Sequence, residues 1–410
     1  MARASTVAIA VVSLLAAAYS GVDAFARVSE REVPQMAAGL PVIDGFALAE
    51  RAENILQLGS KPAATPGAEA VLSLTPEQHR EAVRLSRAGY RLEPLNHTAA
   101  RNLGLVASAD GDLPMARELM DLSNSITRRD LGTSTWRARD FARLGEVDEA
   151  LGAFDQALRT SEVAQQTLLP GLLQYLQNDQ LVEPVTELLE KDPPWQHEFW
   201  GTAPRYTASL KNIARVREAV AREGRVVREQ YDRVLIAELA AHQQFAAAER
   251  LVGLVTSDDR PSGEALRNSE FDADTPFQPF GWELFFDSTL STDISQSQGW
   301  FRISTFSDGG GRAARQLVAL SADTYLLSVK VLEWDRLDEE VLEVELACAE
   351  GEAVRVVPIS IDRPNFSEPF RRQPDCRYYW LTVLARPQDD RQDNTVAIEA
   401  ISLRPIRGSS

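Results

Sequence analysis

Four histidines, His79, His97, His197 and His242, and two cysteines, Cys348 and Cys376, are the residues of this 410-residue chain best suited to nucleophilic or metal chemistry. A nucleophilic triad needs a histidine within reach of Ser or Cys and an orienting carboxylate behind it. All four histidines fall in the first two thirds of the chain, and none stands in an H-E-x-x-H or Cys/His zinc spacing, so they read as surface or groove-filling residues. Two cysteines cannot close a structural zinc site, and their separation of 28 positions is not a C-x-x-C redox pair. In an exported protein they read as one disulfide, Cys348 to Cys376, stabilising by ~3 kcal/mol in the chain-entropy account. The glycine triplet of "FSDGGGRAAR" lacks the G-K-[ST] ending of a phosphate loop and reads as a hairpin. Sugar hydrolysis needs two acids at a defined separation. Asp287, Asp293 and Asp308 supply acids without a pattern that selects two. The stretch "EWDRLDEEVLEVELACAEGE" carries nine carboxylates and reads as a solvated loop and strand edge, with a cation site as the alternative. No catalytic, metal-ligating or cofactor-binding residue is therefore assigned, and no enzyme activity is expected.

The elements that position these residues come from three stretches of different character. Apolar residues at 44% and charged residues at 25% suit a folded chain of two or three domains. A formal net charge of −17 argues against nucleic acid as a partner, because no basic stripe is present to displace counterions from phosphates. From Ala4 to Val22 no side chain is charged, Arg3 precedes the run, and Ala24-Phe25-Ala26 offers a cleavage site. Residues 1–26 read as a signal peptide or, since the run just spans a hydrocarbon core, a membrane anchor with the body outside the cytoplasm. The expected location is the periplasm, with the membrane a partner if the segment is uncleaved.

Residues 27–75 hold an Ala-rich helix, "GFALAERAENILQLG", and a linker, "SKPAATPGAEA". "TPEQHREAVRLSRAGYRLEP" begins with a Thr cap, Pro76 at the first helical position and Glu77 in the first turn, and ends near Gly89 and Pro94. From there the chain repeats at a spacing of 34 residues: Ala82, Ala116 and Ala150; Gly111, Gly145 and Asp179; Met120, Phe154 and Leu188. Each unit is a helix, a turn and a helix, with a small residue where the axes cross and a large apolar one a turn later. "EKDPPWQHEFWGTAPRYT" interrupts the period with an aromatic group that either packs a loop or forms a binding edge. A polar, Pro-containing linker, 256–276, follows. Beyond it the hydrophobic period becomes two, in about eight short runs such as "WFRIS", "TYLLSVKVLEW" and "YYWLTVLA", which predict an antiparallel β-sandwich over 277–408. Alternation places Tyr378, Trp380 and Thr382 on one face and Tyr379, Leu381 and Val383 on the other. The fold class is thus α + β multidomain.

The 34-residue unit over 76–255 resembles the tetratricopeptide repeat, with Gly104, Ala116, Phe154 and Ala157 at its small or aromatic positions. Trp136 and Pro184 depart from the pattern. The resemblance implies an α-solenoid whose first helices line a concave groove, into which Arg101, Arg139, Arg143 and Gln177 project toward protein partners of the envelope. "PFGWEL", "QLVALSADTYLLS" and a late Cys followed by "WLTVLA" resemble a galactose-binding-like jelly roll, the shape of many carbohydrate-binding modules. That resemblance implies sugar binding, with Trp300, Arg302, Trp334 and Trp380 as candidates for stacking and hydroxyl recognition. The whole arrangement is similar to bacterial envelope proteins associated with exopolysaccharide production. The expectation is a non-catalytic exported adaptor for envelope proteins and polysaccharide; a carbohydrate-active enzyme and a purely structural scaffold are the alternatives.

Overall fold

A computed structural model describes residues 44–61, 71–160, 162–224, 227–256, 263–274, 276–306, 309–334, 342–350, 356–386 and 393–406. The N-terminal segment 1–26 lies outside them. Among the described residues no helix is long and apolar enough to cross a membrane. Two compact units divide the chain, Met1–Leu172 with Pro193–Trp195, and Leu173–Asp192 with Gln196–Ser410.

The described part of the first unit is helical hairpins. They comprise α1 (Gly45–Gly59) with α2 (Pro76–Leu92), α3 (His97–Ala109) with α4 (Leu113–Ile126), and α5 (Leu131–Leu144) with α6 (Val147–Thr160), followed by α7 (Glu162–Tyr175). The start of α2 follows from its first four residues. Thr75 Oγ1 accepts from Gln78 N at 3.2 Å while Gln78 Oε1 accepts from Thr75 N at 2.9 Å, and Pro76 needs no partner there. Asn96, Asp112 and Asp130 cap α3, α4 and α5 with side-chain oxygens. The 34-residue spacing is visible in the starts of α3 and α5 and again in those of α4 and α6. Gly111 and Gly145 turn the chain at φ +82 and +78, a left-handed conformation that L side chains adopt at a cost. At the crossing of α3 and α4, a Cβ on Gly104 would stand 3.1 Å from Met120 Cε, so the absent side chain sets the helix separation. Ala116, Met120 and Trp136 form the core there. Trp195, fully buried, donates from Nε1 to Asp155 at 2.9 Å, which makes it a packing residue of this unit.

In the second unit, helices α8 (Val182–Glu190), α9 (Gln196–Thr202), α10 (Leu210–Arg222), α11 (Glu229–Ala241) and α12 (Phe245–Val255) precede the strands. Phe199 and Trp200 of the aromatic group are buried and meet edge to face at 4.9 Å, so they too pack rather than present a binding edge. Arg217 and Asp232, both nearly inaccessible, form a bidentate pair at 2.7 and 2.8 Å joining α10 to α11.

The strands are β3 (Glu283–Leu284), β4 (Leu290–Ser295), β5 (Trp300–Thr305), β6 (Gly311–Ala319), β7 (Thr324–Trp334), β8 (Leu342–Cys348), β9 (Val356–Ile361), β10 (Asn365–Arg371), β11 (Tyr378–Ala385) and β12 (Asn394–Pro405). They form two antiparallel five-stranded sheets, β10-β7-β12-β5-β4 and β3-β6-β11-β8-β9, packed as a sandwich. A further two-residue pair, Ser60–Lys61 with Val71–Leu72, sits beside α1 and supplies β1 and β2. Phe301, Ile303, Leu327, Val329, Leu346, Tyr379, Leu381 and Ile398 fill the sandwich core, and Tyr379, Leu381 and Val383 point inward as alternation requires. Cys348 and Cys376 form a disulfide with Cα atoms 6.0 Å apart, tying the end of β8 to the approach of β11.

Composition marks 256–276 as a linker, yet its described residues are bonded to the sandwich. Leu266 and Phe271 enter the core. Glu264 accepts from Leu403 N at 2.8 Å, Ala265 N donates to Leu403 O at 3.0 Å, and Ile401 N donates to Ser269 O at 2.9 Å. Gln316 brackets the backbone of Arg267 from β6. The polar side chains that suggest a linker are the ones satisfying strand edges.

Candidate functional site

The groove residues have different environments. Arg101 lies in the interior and not in the expected groove: it is 7% exposed, and its guanidinium is held by Glu53 at 2.7 Å and by Asp130. Gly132 makes the room, since a Cβ there would stand 2.9 Å from Arg101 Cδ. Arg101 therefore ties α1, α3 and the cap of α5 together. Arg139 and Arg143 are exposed one turn apart on α5, next to Arg137, which is committed to Asp121 at 3.1 Å. Gln177 lies exposed after α7 in the other unit, where its carbonyl accepts from Asn212 at 3.4 Å.

The histidines are dispersed. His79 meets Asp110 at 2.9 Å, His97 faces Asp130 at 3.8 Å, His197 stacks on Tyr231 at 6.4 Å between centroids, and His242 faces Glu238 at 3.9 Å. None of these contacts joins a histidine to a serine or cysteine nucleophile. Among the described residues no group of three His, Cys, Asp or Glu side chains is placed to hold a metal ion.

The four sandwich candidates do not share one surface. On β5 the burial alternates, so Trp300, Arg302 and Ser304 point outward while Phe301 and Ile303 point into the core. Arg302 lies over the Trp300 ring at 4.3 Å and reaches Glu333 at 3.8 Å. Its Nε is buried without a hydrogen-bond partner among the described residues. Register sets Ser295 opposite Trp300 and Asp293 opposite Arg302 on β4. Trp334 ends β7, its backbone opposite Val396 of β12 in this same sheet.

Trp380 belongs to the other sheet, on β11 between β6 and β8. It is half-buried beneath Arg315 at 4.3 Å, and Arg315 donates to Glu283 at 2.5 Å. Arg312 and Arg315 also flank the Phe285 ring. Burial first, and then the neighbouring Glu343, push the Glu345 carboxyl on this face above its ordinary range, against the pull of Arg312.

No sequence pattern marks a cleft of about 560 Å3 that the second unit contains. Arg233, Val234 and Ala237 of α11 form one wall. Asn268, Ala273, Asp274, Pro276, Gln278 and Trp282 form a second, and Leu284, Asp293, Ile294 and Gln296 the third. Several of its polar groups build the walls: Asn268 bonds Ala273 through both side-chain atoms, Gln278 donates to Trp282 O at 3.1 Å, and Trp282 Nε1 donates to Asn268 O at 3.0 Å. Phe271, Trp282 and Phe301 cluster beneath at centroid distances of 5.4 to 6.5 Å. Asp293 belongs both to the cleft and to the β4 strand that faces Arg302. The only sequence signal was the polar character of 268–278, which composition assigns to a linker.

No family model and no curated protein matches this sequence. Among solved structures, TmCBM61 in complex with beta-1,4-galactotriose is similar to 35% of this chain over 99% of its own, with 15% identity and a TM-score of 0.24. A structure titled "CBM4 structure and function" is similar to 34% of this chain over 99% of its own, with 12% identity and a TM-score of 0.24.

Proposed function

We propose that this chain is a non-catalytic, exported adaptor of the bacterial envelope whose β-sandwich holds carbohydrate, in the assembly or export of exopolysaccharide. The observation that carries the carbohydrate reading is the outward face of β4 and β5. There an indole, a guanidinium stacked on it, and a carboxylate across the strand pair stand side by side. An indole suits the C–H surface of a sugar ring, and planar Arg and Asp groups suit paired hydroxyls. Arg302 is pre-positioned for that work, because the ring and Glu333 restrict its guanidinium before any ligand arrives.

The adaptor half rests on the helical hairpins, taken as tetratricopeptide-like, with Arg139 and Arg143 as the exposed cations for a partner's carboxylates. Export and a periplasmic location are inferred from the uncharged run behind Arg3, cleaved or retained as an anchor, and from a disulfide that suits an oxidising compartment. Affinity electrophoresis of the full chain through gels holding neutral polysaccharides tests the reading. Retardation that Trp300→Ala weakens by about tenfold, the loss of one aromatic contact of about 1.4 kcal/mol, is expected. Retardation unchanged in Trp300→Ala would remove the platform, and none for the wild type would remove carbohydrate binding.

A further inference from the structure

The cleft beside β4 has no role in that reading, yet its chemistry is that of a ligand site. Its volume of about 560 Å3 lies within the ~300–1,000 Å3 of small-molecule sites. α11 contributes the exposed apolar positions Val234 and Ala237, while Asp274, Asp293 and Gln296 bring oxygens and an amide from the opposite side. Apolar surface facing hydrogen-bonding groups suits a ring with hydroxyl edges. The charge disfavours an anion: two carboxylates line the cleft, and the cation there, Arg233, shares its charge with Glu229 at 2.8 Å.

Two of the three walls are fixed without a ligand. α12, the next helix, carries Glu249, which accepts from Tyr378 Oη at 2.7 Å and from Arg377 Nη2 at 2.9 Å, and Phe245 packs on the Tyr378 ring at 5.3 Å. The α11–α12 hairpin is thereby clamped to β11. On the other wall, Asn268 and Phe271 hold left-handed backbones at φ 49 and 55, a cost that burial of Phe271 and the Asn268–Ala273 bonds offset. A cleft held open this way meets its ligand without reorganising.

We propose that this cleft binds an uncharged sugar segment, with helix α11 as one wall, so that the carbohydrate site is complete only when the helical hairpin and the sandwich are present together. The inference rests on the carbohydrate reading and extends the β4–β5 platform through Asp293 to a second subsite. Titration calorimetry on the full chain with short neutral galacto-, gluco- and manno-oligosaccharides, and with oligouronates of equal length, tests it. Ala237→Trp places an indole in the cleft from an exposed helix position, and Gln296→Ala removes a hydrogen-bonding group from a turn. Circular dichroism checks the fold of each. The expected result is neutral ligand bound by the wild type, about tenfold weaker or worse in Ala237→Trp, weaker in Gln296→Ala, and oligouronate bound about tenfold more weakly than its neutral counterpart. Wild-type affinity retained in both variants, with Trp300→Ala still impaired, overturns the cleft and leaves the platform standing. Oligouronate bound as well as the neutral ligand overturns the charge argument, and no binding by the wild type overturns both readings.

Discussion

Tyr378→Phe isolates the bond that clamps α12 to the sandwich while leaving the ring contact with Phe245 in place. The hydroxyl donates to an ionised carboxylate at 2.7 Å from a residue that is 2% exposed. Such charge-assisted bonds contribute about 1.5–3 kcal/mol, and because Arg377 still reaches Glu249 at 2.9 Å the carboxylate is not left alone. A loss near the lower figure, about 1.5 kcal/mol at neutral pH, is therefore expected. Burial, then the bond and charge of Glu249, raise the Tyr378 pKa well above the ordinary tyrosine value of 10.0. The native state thus holds this proton through a range where the unfolded chain releases it. The stabilisation is complete below pH 10 and is lost as pH rises toward the folded value. At pH 11 the unfolded tyrosine is mostly ionised, which lowers wild-type stability by about 1.4 kcal/mol, whereas the Phe variant has no such proton to hold. Tyr379, also raised by burial, is common to both chains. Guanidinium unfolding followed by near-UV circular dichroism at pH 7 and pH 11 should show a difference that nearly vanishes at the higher pH. An equal difference at both values would refute the linkage, and no difference at neutral pH would refute the clamp.

Asp232→Ala leaves the Arg217 guanidinium buried without its carboxylate and should cost about 3–5 kcal/mol in denaturant unfolding; a loss below about 1 kcal/mol would show that Trp200, 5.9 Å away, holds the cation unaided. Replacing Arg139 and Arg143 together by Ala should change thermal stability little, because both are exposed, while reducing crosslinked recovery of envelope proteins; unchanged recovery would sink the groove assignment.

Local signals were the legible ones. Thr75, Pro76 and Glu77 announce α2 because cap, first-turn proline and first-turn acid stand on three consecutive residues, and "GFALAERAENILQLG" coincides with α1. The alternation of Tyr379, Leu381 and Val383 survives in β11 because a period of two is a property of the strand alone. What failed depends on distant chain. Arg101 is an interior tie because Glu53 and Asp130 come from other hairpins and Gly132 leaves it space. Trp300 and Trp380 look alike in sequence, yet strand order sends β5 to one sheet and β11 to the other. The cleft was invisible for the same reason, since α11, a polar stretch read as linker and β4 meet only after the sandwich closes.

The proposed function requires that the chain hold neutral carbohydrate and leave it whole. Incubating the full chain with immobilised neutral glycans, eluting them, and weighing the recovered glycan by mass spectrometry tests both parts at once. Retained protein and glycan of unchanged length are expected. Shortened products would make it an enzyme, and protein that is not retained on any neutral glycan would contradict the carbohydrate reading altogether.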